Sequence, residues 1–192
     1  MIYNLQTAIA NLLKTELSEY LPRSEQHFTT KQLTESTSQP LPKISIYASN
    51  FSLEQNLKDS KSIKTYPEAS RQEITVIREF EQDFFIDIYD NDLGSIEKLA
   101  SLILGIILTN SEDLLQEYNV TKPTHYQENA NKNPSTTTTH LINQINFLEG
   151  NYKTSVTPMI FELKWQVKGN IKLVRTVAGV PIPIREIILE KN

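Results

Sequence analysis

Apolar residues recur at helical spacing in two segments of the chain. The first segment, residues 2–17, predicts an amphipathic helix that ends before Pro22. Its apolar positions are Ile2, Leu5, Ile9, Leu12, Leu13 and Leu17. The second segment predicts a helix over residues 95–109, beginning near Ser95, because Ser is a good N-cap and Glu97 lies at the positive end of the helix dipole. Its expected core stripe consists of Ile96, Leu99, Ala100, Ile103, Ile106 and Ile107.

The second predicted helix is apolar on almost every side. Its run "LASLILGIIL", residues 99–108, is too short to enter a membrane, since a spanning helix needs roughly 20 apolar residues. Leu104 and Leu108 fall outside the core stripe, on the side of Glu97 and Ser101 that would ordinarily meet water. Two interpretations follow: another part of the same chain covers these leucines, or a second subunit does.

Alternating apolar and polar residues predict strands in the middle of the chain. "KISIYASN", residues 43–50, has the pattern of a half-buried strand. "EITVIREF" (73–80) and "DFFIDIYD" (83–90) form either two strands or one long strand with a bulge near Glu81, because the link between them lacks the Gly or Asn of a tight turn.

The last third of the chain is also β-rich. "LINQINFLE" (141–149) and "PMIFELKWQV" (158–167) alternate like strands, and Gly169–Asn170 predicts a hairpin turn, since both residues tolerate positive φ. "VPIPIREIILE" (180–190) predicts a final extended arm, whose prolines place it at a sheet edge or outside the sheet.

Three polar segments separate these elements and are predicted as long loops: residues 23–42, 51–69 and 119–139. "SEDLLQEY" (111–118) predicts a short helix just before the last of them. With no regular alternation of strands and helices, the order predicts a single α+β domain over residues 1–192. We expect a mainly antiparallel sheet packed against one or two helices, with long polar loops and a C-terminal hairpin and arm spanning residues 158–192.

The amino-acid composition limits the classes of function that the protein could have. The 19 Lys and Arg and 23 Asp and Glu give a net charge of −4 without a basic cluster, which argues against nucleic acid as a partner. The chain has no cysteine, so disulfides, thiolate metal sites and cysteine nucleophiles are excluded. The N-terminal segment lacks the basic start of a signal peptide, and together these features favour a cytoplasmic protein.

Few residues in the sequence suggest a catalytic or metal-binding site. His27, His125 and His140 share no metal-ligand spacing and are predicted to be surface residues in loops. With 5 glycines, the chain carries neither a phosphate-binding loop nor a dinucleotide fingerprint, and no Ser–His pair suggests a nucleophile. The sequence therefore predicts no enzyme, no cofactor and no metal.

One acidic cluster keeps a second function class open. Asp87, Asp90 and Asp92 lie at the end of a predicted strand, and their oxygens could hold Ca²⁺ or Mg²⁺, or a small ligand. Asp and Asn are also ordinary turn and cap residues, and the pattern lacks the acidic twelfth position of an EF-hand loop. A turn is the favoured interpretation.

The order of elements resembles the tail-terminator or cap proteins of contractile phage tails and phage-tail-like injection systems. The segments that carry the resemblance are "MIYNLQTAIANLLKTEL", "KISIYASN", "FFIDIYDNDLGSIEKLASLILGIILT" and "PMIFELKWQVKGNIKLVRTVAGVPIPIREIILE". The resemblance covers most of the chain but includes no diagnostic motif, and the long Ser/Thr/Asn-rich loops depart from the smaller phage members.

The resemblance implies a structural, non-catalytic protein that works as part of an assembled particle. It implies a homo-oligomeric ring, a hexamer in that family, which ends the inner tube and holds the last sheath ring. Tube and sheath proteins would then be its partners. An alternative in the same class is a baseplate or head–tail connector protein. The candidate subunit-interface residues are Leu104, Leu108, Ile182, Ile184, Ile187 and Leu189.

Overall fold

The computed structural model describes residues 3–33, 40–49, 52–53, 60–66, 71–121, 126–127, 135–153 and 157–178. Its helices are α1 (Tyr3–Glu16), α2 (Leu93–Thr109) and α3 (Ser111–Thr121), with a short 3-10 helix at Ser24–Gln26. Its strands are β1 (Phe28–Thr29), β2 (Lys43–Ala48), β3 (Ser52–Leu53), β4 (Ser60–Tyr66), β5 (Arg71–Asp90), β6 (Tyr126–Gln127), β7 (Ser135–Lys153) and β8 (Met159–Ala178).

These strands form one sheet with three long members at its centre. The order is β1-β2-β5-β8-β7-β6, and β3 and β4 pair with the free part of β5 beyond β2. β1 and β2 run parallel, and every other pair in the described residues is antiparallel. The predicted α+β class with a mainly antiparallel sheet is confirmed.

The core lies between one face of the sheet and the helices. Alternation in β5 sends Phe84, Ile86 and Ile88 to this face, and all three are fully buried. From α2 the buried residues are Ile96, Leu99, Ala100, Ile103 and Ile107, the predicted core stripe apart from Ile106, which is partly buried. From α1, Leu5, Ile9, Leu13 and Leu17 are buried as predicted, because helical spacing brings them to one side.

Residues 73–90 form part of one uninterrupted strand, so the long-strand interpretation is confirmed, but the bulge expected near Glu81 is wrong. The register between β5 and β8 shows no break at Glu81, which pairs with Lys168. The irregularities lie instead in β7, between Ile142 and Gln144 and between Phe147 and Glu149. They interrupt the simple alternation predicted for residues 141–149.

The predicted hairpin turn at Gly169–Asn170 is wrong, because β8 runs straight through it. Gly169 lies between Phe80 of β5 and Ile142 of β7. A Cβ atom there would lie 2.8 Å from the Phe80 ring and would collide with the carbonyl oxygen of Leu141. Glycine is therefore needed for close packing and not for positive φ. The antiparallel pair near the C-terminus is β7 with β8, and its connection falls between Lys153 and Met159.

The second helix begins earlier than predicted. Its N-cap is Asp92, whose carboxylate accepts hydrogen bonds from the backbone N–H groups of Gly94 at 3.3 Å and Ser95 at 3.1 Å. An aspartate caps as well as a serine and adds a negative charge at the positive end of the helix dipole. Ser95 is therefore in the first turn.

The predicted loops contain more regular structure than expected. Residues 23–42 include the 3-10 helix and β1, residues 51–69 include β3 and β4, and residues 119–139 include the end of α3, β6 and the start of β7. The short helix predicted at 111–118 is confirmed as α3. Polar composition misled the prediction, because Ser- and Thr-rich strands pair through their backbones, and Thr favours extended structure.

Candidate assembly surfaces

The three central strands are much longer than the helices that cover them. β5 has 20 residues, and α2 has 17. At about 3.3 Å per strand residue and about 1.5 Å per helix residue, β5 spans about 66 Å and α2 about 25 Å. A single layer of such helices therefore covers only part of each strand.

Burial shows where the cover ends. We call residues 60–66, 71–79, 135–141 and 170–178 the sheet extension, and the rest of the sheet the covered half. On the helix side of the covered half, Phe80, Phe84 and Trp165 are at most 1% exposed. In the sheet extension, Ile171 at the boundary is buried, but none of the described side chains in residues 61–66, 72–79 and 172–177 is.

The helix side of the sheet extension is apolar and positively charged. The register places Ile63, Ile74 and Leu173 on this side, and Ile63 is 56% exposed. The same side carries three cationic residues, Lys61, Arg78 and Arg175. None of the described positions on this side is Asp or Glu. This side therefore combines apolar and positively charged side chains, in a chain whose net charge is −4.

The opposite face of the covered half is organised differently. It carries three ion pairs between neighbouring strands: Lys153 with Glu162 at 2.6 Å, Lys164 with Asp83 at 3.1 Å, and Lys168 with Glu81. Oppositely charged neighbours of this kind satisfy each other on a surface that meets water. This face therefore needs no partner to balance its charges.

A buried carboxyl group lies among these pairs. Asp87 is 3% exposed, and its Oδ2 accepts hydrogen bonds from the hydroxyls of Tyr47 at 3.0 Å and Tyr89 at 3.2 Å. Its Oδ1 has no hydrogen-bond partner among the described residues. Burial raises the pKa of Asp87, the hydrogen bond from Tyr47 opposes this rise, and the charge of Glu162 adds to it. Burial and the Asp87 charge likewise raise the pKa values of Tyr47 and Tyr89.

The structure does not bring Asp87, Asp90 and Asp92 together as a site. Alternation along β5 sends the side chains of Asp87 and Asp90 to opposite faces of the sheet. Asp90 accepts a hydrogen bond from the backbone N–H of Asn91 at 2.7 Å, and Asp92 caps α2. Within the described ranges, no group of three or more His, Cys, Asp or Glu residues could hold a metal ion.

Of the three histidines, the structure describes the side-chain contacts of His27. The surface position predicted for His27 is wrong: its side chain is buried, and its Nδ1 lies 2.6 Å from the carbonyl oxygen of Pro42. The segment around it is folded against β2, where Ile44 N–H donates to the His27 carbonyl at 2.7 Å. His125 lies outside the described residues, and His140 falls within β7.

One side of α2 forms a second exposed apolar surface, which we call the α2 flank: Leu93, Glu97, Leu104 and Leu108. These residues are spaced by four, seven and four positions and so lie on the same side of the helix. Leu108 is 54% exposed and Leu93 is 45% exposed, while Leu104 is partly buried against the core. The Tyr152 hydroxyl of β7 donates to Glu97 Oε1 at 3.3 Å, so the flank faces the β7 side of the domain.

The predicted interface residues therefore fall into three groups. Leu108 is a strongly exposed leucine, and Leu104 beside it is partly covered within its own chain. The other four, Ile182, Ile184, Ile187 and Leu189, lie outside the described residues. Sequence reasoning missed Leu93 because it placed the start of α2 too late, and it missed Ile63 because the surrounding segment is polar.

No helix in the described part of the chain combines the length and the apolar content needed to cross a bilayer.

No family model matches the chain, and no curated protein does. The chain is similar in structure to the sheath/tube terminator of PVC, an extracellular contractile injection system, in its extended state. The two share 12% sequence identity with a TM-score of 0.47, over 86% of this chain and 56% of that chain. The protein in that structure is of the kind that the sequence resembles. This chain spans little more than half of its length, and a likeness this low carries no argument about function.

Proposed function

We propose that this chain is a structural assembly protein, a tail terminator or cap. It would form a ring that ends the inner tube of a contractile injection system and anchors the last sheath ring. The observation that carries the proposal is the sheet extension, on whose helix side Ile63 is 56% exposed and Ile74 and Leu173 are only partly buried. Large uncovered apolar surfaces of this kind are typical of protein contact sites.

Two further features support an assembly role. The α2 flank exposes Leu93 and Leu108 on the helix layer, whereas the sheet extension is formed by strands alone. Two different contact surfaces on one chain allow copies to join head to tail, and such contacts close into a ring when the rotation between copies permits it. The sequence resemblance to tail terminators supplies the kind of ring and its partners, the tube and the sheath.

The proposal assigns the protein no chemistry. Asp87, Asp90 and Asp92, the acidic residues that could have suggested a metal-assisted or ligand-binding role, are divided between a buried hydrogen-bonded cluster, a local turn and a helix cap. The protein would act by fitting surfaces together, and neither a cofactor nor a substrate is part of its role.

Electron microscopy of particles assembled with labelled protein tests this proposal. Tube and sheath proteins are assembled with and without the protein, and a gold label on the protein marks where it binds. We expect one label position, at the end of the tube distal to the baseplate, and tubes of uniform length only when the protein is present.

The other outcomes separate the alternatives. Label at the baseplate would favour a baseplate component, and label at a head–tail junction would favour a connector. Protein that binds neither tube nor sheath would contradict the proposal.

A further inference from the structure

Strand β7 forms an edge of the sheet along the covered half. On one side it pairs with β8, whereas on the other side β6 pairs only with residues 137–138. No other described strand pairs with β7. Residues 147–153 are all exposed, although Leu163 and Trp165 beside them on β8 are fully buried. An edge strand of this kind presents unpaired backbone N–H and C=O groups to an incoming strand.

Residues 149–153 are the part of this edge best suited to receive another strand, and we call them the acceptor edge. Bulges interrupt β7 between Ile142 and Gln144 and between Phe147 and Glu149, and bulges hinder pairing along an edge. The acceptor edge follows the second bulge, keeps an unbroken register with β8 and contains no proline. Its length is that of a typical strand.

Apolar side chains lie beside the acceptor edge on the helix side of the sheet. Tyr152 packs against Phe161 of β8, with 4.4 Å between the ring centroids, and its hydroxyl donates to Glu97 of the α2 flank. Phe147 is 36% exposed, and Leu93 of the flank is 45% exposed. A strand added to the acceptor edge would therefore have one row of side chains beside Tyr152 and the α2 flank, where apolar residues would become buried.

Residues 180–188, which we call the donor segment, have the sequence of a strand that can pair along one edge only. They lie outside the described residues and read "VPIPIREII". In a strand, every second residue directs its backbone groups to the same edge. Pro181 and Pro183, which have no N–H group, therefore face one edge, and the even-numbered residues face the other. Ile182 and Ile184 are among these even-numbered residues, and their side chains share one face.

The donor segment is too short to reach the acceptor edge of its own chain. β8 ends at Ala178, at the tip of the sheet extension, whereas the acceptor edge begins opposite Lys164. At about 3.3 Å per strand residue, these two positions lie about 46 Å apart along β8. From Ala178 to Ile188 the fully extended chain spans at most about 36 Å. The donor segment of another copy has no such limit.

We propose that the donor segment of one copy adds as a strand to the acceptor edge of the next copy. This proposal rests on the proposed function and adds the contact through which the ring would close. Each copy carries one donor segment and one acceptor edge, so the contact is heterologous and can repeat around a closed ring. The backbone ladder would supply affinity, and the apolar row beside Tyr152 would decide which face of the segment turns towards the helices.

Prolines at two adjacent positions of the donor segment test the strand addition in the full-length protein. Ile188→Pro removes an N–H group that faces the acceptor edge, whereas Ile187→Pro removes one that faces away, as Pro181 and Pro183 do. Both variants exchange one isoleucine for one proline, so each is the control for the other. We expect self-association, measured by sedimentation, to weaken by at least about tenfold for Ile188→Pro and by less than about threefold for Ile187→Pro.

Cross-linking between copies identifies the acceptor, because the unmodified chain has no cysteine. Three full-length variants carry one cysteine each: Glu186→Cys in the donor segment, Asn151→Cys in the acceptor edge and Lys64→Cys in β4, on the other side of the sheet. A short bismaleimide is added to equimolar mixtures of two variants. We expect Glu186→Cys to cross-link to Asn151→Cys and not to Lys64→Cys. Circular dichroism of every variant separates loss of contact from loss of fold.

The other outcomes would overturn the inference. Cross-linking of Glu186→Cys to Lys64→Cys would put the donor segment on β4, and cross-linking of Asn151→Cys only to itself would mean that two acceptor edges pair directly. If Asn151→Cys cross-linked only to tube or sheath protein, that protein would be the occupant. Equal weakening by the two prolines would mean that the segment binds through its side chains and not as an added strand.

These failures are distinguishable from a failure of the proposed function. In each of them, unmodified protein that still forms a ring on the tube leaves the proposed function intact. Unmodified protein that stays monomeric even on the tube would overturn both.

Discussion

The covered half of the sheet and the sheet extension share the same strands but have opposite surroundings. β8 contributes Leu163, Trp165 and Val167 to the covered half, where all three are fully buried. About ten residues further along the same side of the same strand, Leu173 and Val177 are only partly buried. The apolar pattern continues across this boundary, although the helix layer does not.

This difference separates two uses of one sequence pattern. In the covered half, the apolar residues that alternate along the strands pack against side chains of the helices, and both sets belong to one core cluster. In the sheet extension the same alternation is less well covered: Ile171 at the boundary joins the core and Leu173 packs partly against it, but Ile63 is 56% exposed. Cationic residues accompany these apolar positions. Apolar residues in the covered half stabilise the fold, and those in the sheet extension are available to stabilise an assembly.

Two leucines of β8 test this division most strongly. Leu163→Ala should destabilise the fold by about 2–5 kcal/mol, because it removes a fully buried side chain and leaves a cavity. Leu173→Ala, the matched change on the same side of the same strand, should cost less than half as much, since Leu173 is only partly buried. Urea unfolding of both variants at a concentration where the protein is monomeric gives the comparison. Equal losses would mean that the sheet extension is as well packed as the covered half.

The boundary between the two regions can be tested at Gly169. Gly169→Ala should cost about 1–3 kcal/mol, because the new methyl group meets the Phe80 ring and the Leu141 carbonyl oxygen. Gly105→Ala in α2 is the matched control, since a Cβ there has no atom within 4 Å and alanine favours the helix by about 0.5–1 kcal/mol. Thermal unfolding should move in opposite directions for the two variants. If Gly169→Ala left the melting temperature unchanged, close packing at this position would be contradicted, and the hairpin turn predicted from the sequence would be favoured instead.

Asp87, the buried carboxyl group on the face of the sheet opposite the helices, should have a smaller effect on stability, and this effect should depend on pH. Because burial raises the pKa of Asp87 in the folded state, that state binds its proton more tightly than the unfolded chain does. The contribution of Asp87 to stability should therefore fall as pH rises from about 4, the pKa of an unfolded aspartate, to the higher folded value. Unfolding free energies of the unmodified protein and Asp87→Asn should therefore diverge across this window, with the unmodified protein losing stability relative to the variant as pH rises. A difference that is constant with pH, or that grows in favour of the carboxylate as pH rises, would contradict this assignment.

The smallest effect on folding is expected at the α2 flank. Leu108→Glu should change the free energy of unfolding by no more than about 0.5 kcal/mol, since the side chain is 54% exposed. Leu104→Glu should cost more, because Leu104 packs partly against the core. Chemical denaturation of the monomer measures both. A large loss in Leu108→Glu would show that another part of the same chain covers this leucine.

Patterns of hydrophobicity predicted much of the covered half. Helical spacing gave α1 and the core stripe of α2, and alternation gave the buried sides of β5 and β8, because local periodicity directly reflects which side is buried. The start of α2 was misplaced because Asp92 and Ser95 are both acceptable caps, and only backbone geometry decides between them.

The sheet extension and its surfaces were harder to predict. Gly169 looks like a turn residue in sequence, since close packing against Phe80 is set by a strand far away along the chain. Strand β4 is made of Ser, Lys and Thr around Ile63, so its composition resembles that of a loop. The grouping of Lys61 with Arg175 depends on register across three strands, which no local pattern encodes.

The central claim is that the uncovered surfaces hold copies of this protein together. The most direct test is the mass in solution, measured by light scattering on a sizing column across a range of concentrations, with and without tube, for the unmodified protein and Leu108→Glu. The account predicts a discrete multimer for the unmodified protein, present alone or on the tube, and a folded monomer for the variant. A monomer at every concentration, also in the presence of tube, would contradict it.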